Sequence, residues 1–207
     1  MRLRQRRRPC VGCRFLALSA AAVVLLPIST GAQEQHYLVL DEAKFAVLAH
    51  DVGFAGGKEG GADINAEILF ASPVRDEAVS AVPPALRWLV QPRLNLGFEA
   101  NTGDYTDQGY FGLTWTRLVA RDLLRPADGL EVSIGFGPSF NDGLIRSRQS
   151  DRKSLGSHVL FHVSFELGYR ITPRSEVSAF FDHSSNAGFV RENESVNDAG
   201  FRFGIRF

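Results

Sequence analysis

The chain has 207 residues, with 23 Lys+Arg against 23 Asp+Glu, and is formally neutral. Six of the basic residues (Arg2, Arg4, Arg6, Arg7, Arg8 and Arg14) lie within the first 32 positions with no acid among them, so the rest of the chain is net acidic. An acidic remainder lacks the basic surface that general nucleic-acid binding requires, and no nucleic-acid partner is expected.

The arginine-rich start is followed by an apolar run from Phe15 to Pro27 and by the small residues Thr30-Gly31-Ala32. This order predicts a cleaved secretory signal peptide over residues 1–32, with a domain over 33–207. The apolar run is shorter than the ~20 residues of a spanning helix, which disfavours the rival reading, an uncleaved inner-membrane anchor. Cys10 and Cys13 precede the run, so residues 33–207 hold no cysteine, disulfide or zinc–thiolate site.

Beyond residue 33 the dominant pattern has a period of two, the mark of strands with unlike faces. A first, less regular strand is predicted over 44–54. Residues 62–71 alternate Ile64, Ala66, Ile68 and Phe70 with Asp63, Asn65 and Glu67. Residues 86–99 alternate Trp88, Val90, Leu94, Leu96 and Phe98 with Arg87, Gln91, Arg93, Asn95 and Glu99. The same period recurs over 108–117, 129–138, 157–170, 175–185 and 198–207, making eight strands.

Strands of about ten residues match a tilted bilayer crossing. Alternation alone suits a soluble sandwich equally well, with the polar face wet and the apolar face buried. Three features favour a membrane barrel. Phe201, Phe203, Ile205 and Phe207 occupy every second place to the last residue, which resembles the terminal assembly signal of bacterial outer-membrane barrels. Thr172-Pro173-Arg174 reads as a tight turn and 139–156 as a long polar loop, although connections near 72–85 and 118–128 are longer than a short-turn scheme prefers. An even strand number puts both termini at the turn end, leaving 139–156 and 186–196 external. The predicted fold class is all-β: an eight-stranded antiparallel transmembrane β-barrel of the outer membrane. Its interior charges should form a plug network, since eight strands leave room only for side chains.

On the seventh strand the apolar row Val177, Ala179, Phe181 continues into His183 and Ser185. On the eighth, the row Phe207, Ile205, Phe203, Phe201, Ala199 ends at Asn197. Parity puts His183, Ser185 and Asn197 together on the lipid-facing side at the outer end, while Asp182 and Asp198 point inward. A neutral imidazole two residues from a serine on one face can act as its general base, with a third group orienting the ring. The plain alternative is a set of interface residues bonded to headgroups or loop backbone. His50-Asp51 and Asn141-Asp142-Gly143 lack metal-ligand spacing; His50 reads as a strand-face residue and Asn-Asp-Gly as a turn.

The segment His183-Ser184-Ser185-Asn186-Ala187-Gly188, followed by Asn193 and the closing strand, resembles the active-site segment of the outer-membrane lipid A 3-O-deacylase (acyloxyacyl hydrolase) family. Ala49-His50-Asp51-Val52-Gly53 and Tyr110-Phe111-Gly112-Leu113-Thr114-Trp115 are also similar to members of this group. The resemblance implies a cofactor-free, metal-free serine esterase that removes the 3-O-linked acyl chain of lipid A from an external wall site. By position it implies Ser185 as nucleophile, His183 as base, Asn197 as the orienting residue, and Asn186, Gly188 and Asn193 as the oxyanion site. The family pattern carries Glu where this chain has Asn197; Glu192 or Glu194 are candidate substitutes. Arg146, Arg148, Arg152 and Lys153 are candidate contacts to lipid A phosphates. The expected partners are lipopolysaccharide in the outer leaflet and the barrel assembly machinery, with a homodimer left open. A non-catalytic barrel serving structure or adhesion, and an interfacial phospholipase, are the competing functions.

Overall fold

A computed structural model describes residues 38–53 and 57–207. The predicted signal peptide, with Cys10 and Cys13, lies outside the described residues. Among those described, eight strands form a closed antiparallel barrel in sequence order: β1 Leu40–Ala49, β2 Ala62–Phe70, β3 Arg93–Asn101, β4 Gln108–Arg121, β5 Gly129–Asn141, β6 Val159–Thr172, β7 Ser175–Ser185 and β8 Val196–Arg206. Closure is made by β1 and β8, from Glu42 opposite Arg206 to Ala49 opposite Ala199, and it removes both sheet edges. No helix among the described residues is long and apolar enough to cross a membrane.

Two predicted strands are displaced. The first occupies 40–49 instead of 44–54, because the ladders to β2 and β8 set its limits. The third begins at Arg93, not at 86. Pro84–Leu86 forms a 3-10 turn and Arg87–Val90 a short helix, α1. A short apolar run does not distinguish strand from helix by period alone. Pro92 then ends the helix, since the residue before a proline is driven out of the α region, and Gln91 sits at φ −123°, ψ 58°.

The faces follow parity. Phe45, Val47, Ile64, Leu96, Phe98, Phe111, Ile134, Phe136, Phe165 and Phe203 are exposed on the outside. Asp63, Glu67, Glu99, Glu131, Asp182 and Arg202 are buried on the inside. This is inverted relative to a soluble sandwich and suits a hydrocarbon surround. Lys44 Nζ donates to Glu166 (2.8 Å) and Glu176 (3.1 Å), and Arg93 Nη1 to Asp41 (2.8 Å) and Glu42 (2.6 Å). Arg202 pairs with Glu67, donates to Tyr110 Oη at 2.9 Å and lies 3.3 Å over the Phe180 ring.

At the loop end, His50 is no strand-face residue. It lies just past β1 with both ring nitrogens on carboxylates, Nδ1 2.8 Å from Asp63 and 3.2 Å from Asp198, and Nε2 3.2 Å from Glu59. Burial lowers the imidazole pKa, but hydrogen bonds to Asp198, Asp63 and Glu59 outweigh it and raise the value to about 12. Burial raises Glu59, yet the hydrogen bonds from His50, Lys153 N–H and Thr106 hold it down at about 2. The ring is therefore an imidazolium that ties the β1–β2 loop to β2 and β8.

Replacing this cation by His50→Phe should cost about 3–5 kcal/mol at pH 7, because buried carboxylates are left uncompensated. The raised His50 value sets the sign of the pH effect. The stabilisation is complete below its ordinary value of 6.5 and declines as pH rises toward about 12. Urea midpoints of the folded barrel should therefore show the gap between parent and variant narrowing from pH 7 to pH 11. A constant gap would contradict the imidazolium assignment.

Candidate active site

β7 and β8 pair with His183 directly opposite Asn197, while on the other side β6 sets Phe161 opposite Ser185 and Val163 opposite His183. The pleat thus places three polar side chains on an otherwise apolar outer wall. Asn197 Oδ1 lies 2.6 Å from His183 Nδ1, and Ser185 Oγ lies 2.9 Å from His183 Nε2. An amide oxygen can only accept, so Nδ1 carries the proton. The lone pair of Nε2 then faces the serine, which donates its hydroxyl hydrogen to it. This is the tautomer in which imidazole can take the Ser185 proton.

Behind this wall the backbone is stitched to the β1–β2 loop. Val52 N–H donates to Asn197 O at 2.7 Å, and Asp51 N–H to Asp198 Oδ1 at 2.8 Å. Asp182 and Asp198 are buried inward, as parity requires, and do not touch His183. Glu192 is paired with Arg146, and Glu194 with Lys58 and with Ser154 N–H. Neither glutamate substitutes for Asn197 as the partner of the ring.

Directly after Ser185 the chain makes a tight turn in which Ala187 (φ 54°) and Gly188 (φ 80°) are left-handed. A Cβ on Gly188 would meet nothing within 4 Å, so backbone conformation, not crowding, calls for glycine there. The turn satisfies its own donors. Asn186 N–H donates to Asn193 Oδ1 (3.1 Å), and Gly188 N–H to Asn186 Oδ1 (2.9 Å). Asn186 Nδ2 donates to Leu155 O (2.8 Å) and Glu192 O (2.6 Å). Asn186, Gly188 and Asn193 are thus brought together beside Ser185, but two of the expected oxyanion donors already have acceptors in this state. With its oxygen tied to Asn186, Asn193 keeps its NH2 group for another partner.

The β5–β6 loop clamps this turn, a role that no local pattern announced. Gly156 (φ 75°) packs so closely that an added Cβ would lie 2.0 Å from Glu192 O and 2.7 Å from Asn186 Nδ2. Leu155, Leu160 and Val196 form a small buried apolar cluster beneath it. The four basic loop residues separate in kind. Lys153 is buried, with Nζ 2.6 Å from Asp51 Oδ1 and 2.7 Å from Ser195 O, which withdraws it from any lipid contact. Arg152 donates to Asp104 O at 2.9 Å and lies over Tyr105. Arg146 and Arg148 are exposed at the surface.

An apolar groove of about 420 Å³ opens on the same wall, bordered by Val132, Ile134, Phe165, Leu167, Ala179 and Phe181. Phe181 and Ala179 continue the row of His183 toward the turn end. Nearer the serine, Phe161 contacts Phe189 at a ring separation of 5.9 Å. Two buried sets of ligand-type atoms, His50–Asp63–Asp198 and Glu99–Asp182–Asp198, each gather within 4.8 Å. Both nitrogens of His50 are engaged by carboxylates at hydrogen-bond distance, so the first set reads as an ion-pair hub.

No curated protein sequence matches the chain. Among solved structures it is similar to the crystal structure of the outer membrane enzyme PagL, with 16% sequence identity, a TM-score of 0.58, and coverage of 80% of this chain and 99% of that one. The N-terminal β-barrel domain of Pseudomonas aeruginosa OprF is also similar, at 11% identity and a TM-score of 0.41, over 80% of this chain and 98% of that one. A family model described as lipid A 3-O-deacylase (PagL) matches residues 85–206, well over half of the chain. The protein belongs to the lipid A 3-O-deacylase (PagL) family.

Proposed function

We propose that residues 33–207 form an outer-membrane serine esterase that hydrolyses the 3-O-linked acyl ester of lipid A, after export and removal of residues 1–32. The observation that carries this reading is the hydrogen-bonded chain Asn197–His183–Ser185 on an apolar wall. A purely structural barrel would gain nothing by placing three polar groups there, and desolvating them has a cost.

Ser185 Oγ attacks the ester carbonyl as its proton passes to His183 Nε2. The resulting imidazolium then protonates the departing sugar alkoxide, leaving an acyl-serine. Water, deprotonated by the neutral ring, cleaves the acyl-serine to a free hydroxy acid and restores Ser185. Asn193 donates its amide to the tetrahedral oxyanion, and the N–H groups of Asn186 and Gly188 join it when the ester oxygen displaces their side-chain acceptors. The acyl chain lies in the wall groove beside Phe181 and Ala179. Arg146, Arg148 and Arg152 face the phosphates, with Arg146 exchanging Glu192 for them. Neither the chemistry nor the donor set calls for a cofactor. The barrel assembly machinery would insert the chain.

The test is incubation of the folded barrel with purified lipid A or with phosphatidylcholine, followed by mass spectrometry of the lipid. Loss of one hydroxyacyl chain from lipid A is expected from the parent and not from Ser185→Ala. His183→Ala should slow the reaction by about 10²–10⁴-fold. Cleavage of phosphatidylcholine alone would make the protein an interfacial phospholipase, and no cleavage of either lipid would restore the non-catalytic barrel.

Asn197 orients the ring without offering it a charge. Asn197→Glu should raise kcat about tenfold, the difference between a charge-assisted and a neutral hydrogen bond. Gly156→Ala should leave the barrel folded but displace Asn186 and Glu192. It should lower kcat/KM on lipid A by about 10²-fold, as misplacement of a site by about 1 Å does.

A further inference from the structure

The connection between β2 and β3, residues 71–92, leaves the barrel at the end opposite Ser185. It does not stand away from the barrel but folds back against the outer face of β4. Trp115 Nε1–H donates to Leu89 O at 2.9 Å, and Arg117 Nη1–H to Ala85 O at 2.7 Å. The Arg117 guanidinium lies 5.5 Å from the centre of the Trp88 ring. Trp115 and Arg117 share the parity of the exposed wall residue Phe111, so Pro84–Val90 lies on the wall that the bilayer would cover.

The segment is built for such a place. Of its seven residues only Arg87 is polar, and Arg87 turns back to Val82 O (3.1 Å) and Ser80 O (3.3 Å) of its own loop. Leu86, Leu89 and Val90 remain 49%, 48% and 42% exposed. Farther along β4 Val119 is 49% exposed, and in the β4–β5 turn Leu124 is 80% exposed. Leu86 N–H donates to Pro83 O at 2.8 Å and Arg87 N–H to Pro84 O, while the carbonyls of Ala85 and Leu89 accept from Arg117 and Trp115; partners within the protein are what an apolar surround demands of these groups. Both tryptophans of the chain, Trp88 and Trp115, sit in this one place. Tryptophan, arginine and a short apolar helix at the foot of a barrel wall fit the boundary between headgroups and acyl chains.

We infer that Pro84–Val90 is a side-laid anchor that docks on the phospholipid leaflet opposite the Ser185 end. This rests on the barrel reading above, because the occupant is the continuation of the bilayer that wets the rest of the wall. The anchor sets the height of the barrel between the two leaflets. Since the strands are rigid, it also sets the level of Ser185 at the other surface.

The full chain is refolded into phosphatidylcholine vesicles carrying bromine at acyl carbons 6,7 or 11,12, with iodide on both sides in parallel samples. Trp115→Phe leaves Trp88 as the only reporter. Phe136→Trp, placed in a background lacking both natural tryptophans, reports the bare wall. Trp88 emission should be quenched by the shallow bromines more than by the deep ones, and little by iodide. Adding Leu86→Glu and Leu89→Glu should turn Trp88 toward iodide while the Phe136→Trp reporter stays lipid-quenched. If Trp88 in the unmodified segment answers only to iodide and Phe136→Trp to bromine, the anchor is wrong and the barrel reading stands. If neither reporter answers to bromine, both are wrong. The parent with both tryptophans is measured alongside, so that a folding defect in Trp115→Phe does not decide the result.

Discussion

A charge inside an eight-stranded barrel has nowhere to go but to another charge. The bore is filled by side chains, and desolvating an unpaired ion costs several kcal/mol. Arg202 shows the consequence: it is 3% exposed, yet it reaches Glu67 on β2 and Tyr110 on β4 from its place on β8. Lys44 does the same from β1 to Glu166 on β6 and Glu176 on β7. These cross-braces fix the register, because a slip of one residue would send every interior charge to the apolar wall.

The site on the outside inherits that rigidity. His183, Ser185 and Asn197 sit on two strands locked into the braced ladder, not on a loop. The interior supports them from behind through His50, whose partner Asp198 follows Asn197 in sequence. Val52 N–H pins the carbonyl of Asn197 itself. Polar groups on the two faces of β8 thus do different work: Asp198 anchors the strand inward and Asn197 holds the imidazole outward. Support from behind fixes the relative positions of these side chains, of which Ser185 is only 9% exposed.

The turn after Ser185 is less committed. Its N–H groups are held by side-chain oxygens of Asn186 and Asn193, and the β5–β6 loop presses on it through Gly156 and Leu155. In the proposed reaction these same N–H groups change acceptor as charge develops on the substrate. At the far end, Pro84–Val90 packs on the outer face of β4, several strands around the barrel from β7 and β8.

Much of this was legible in residue order, because the direction of a strand side chain is a local property of the pleat. Parity alone put Asp182 and Asp198 inward and placed His183, Ser185 and Asn197 together outside, and the residue types of Thr172-Pro173-Arg174 marked the turn between β6 and β7. The departures are non-local. Residues 86–92 carry strand-like alternation, but Pro92 and contacts from Trp115 and Arg117 make them a wall-bound helix. Lys153 looked like its exposed arginine neighbours until loop packing set it against Asp51, about a hundred residues away in sequence. Glu192 and Glu194 stand as candidate substitutes for Asn197 in residue order, but cross-loop pairs engage them, and His50 becomes a cation only when β2, β8 and a loop deliver three carboxylates to it. Sequence by itself determined which face each strand residue takes, since that follows from the backbone's two-residue repeat. Tertiary structure alone decided which charges meet, since a partner across the barrel exists only once the sheet has closed.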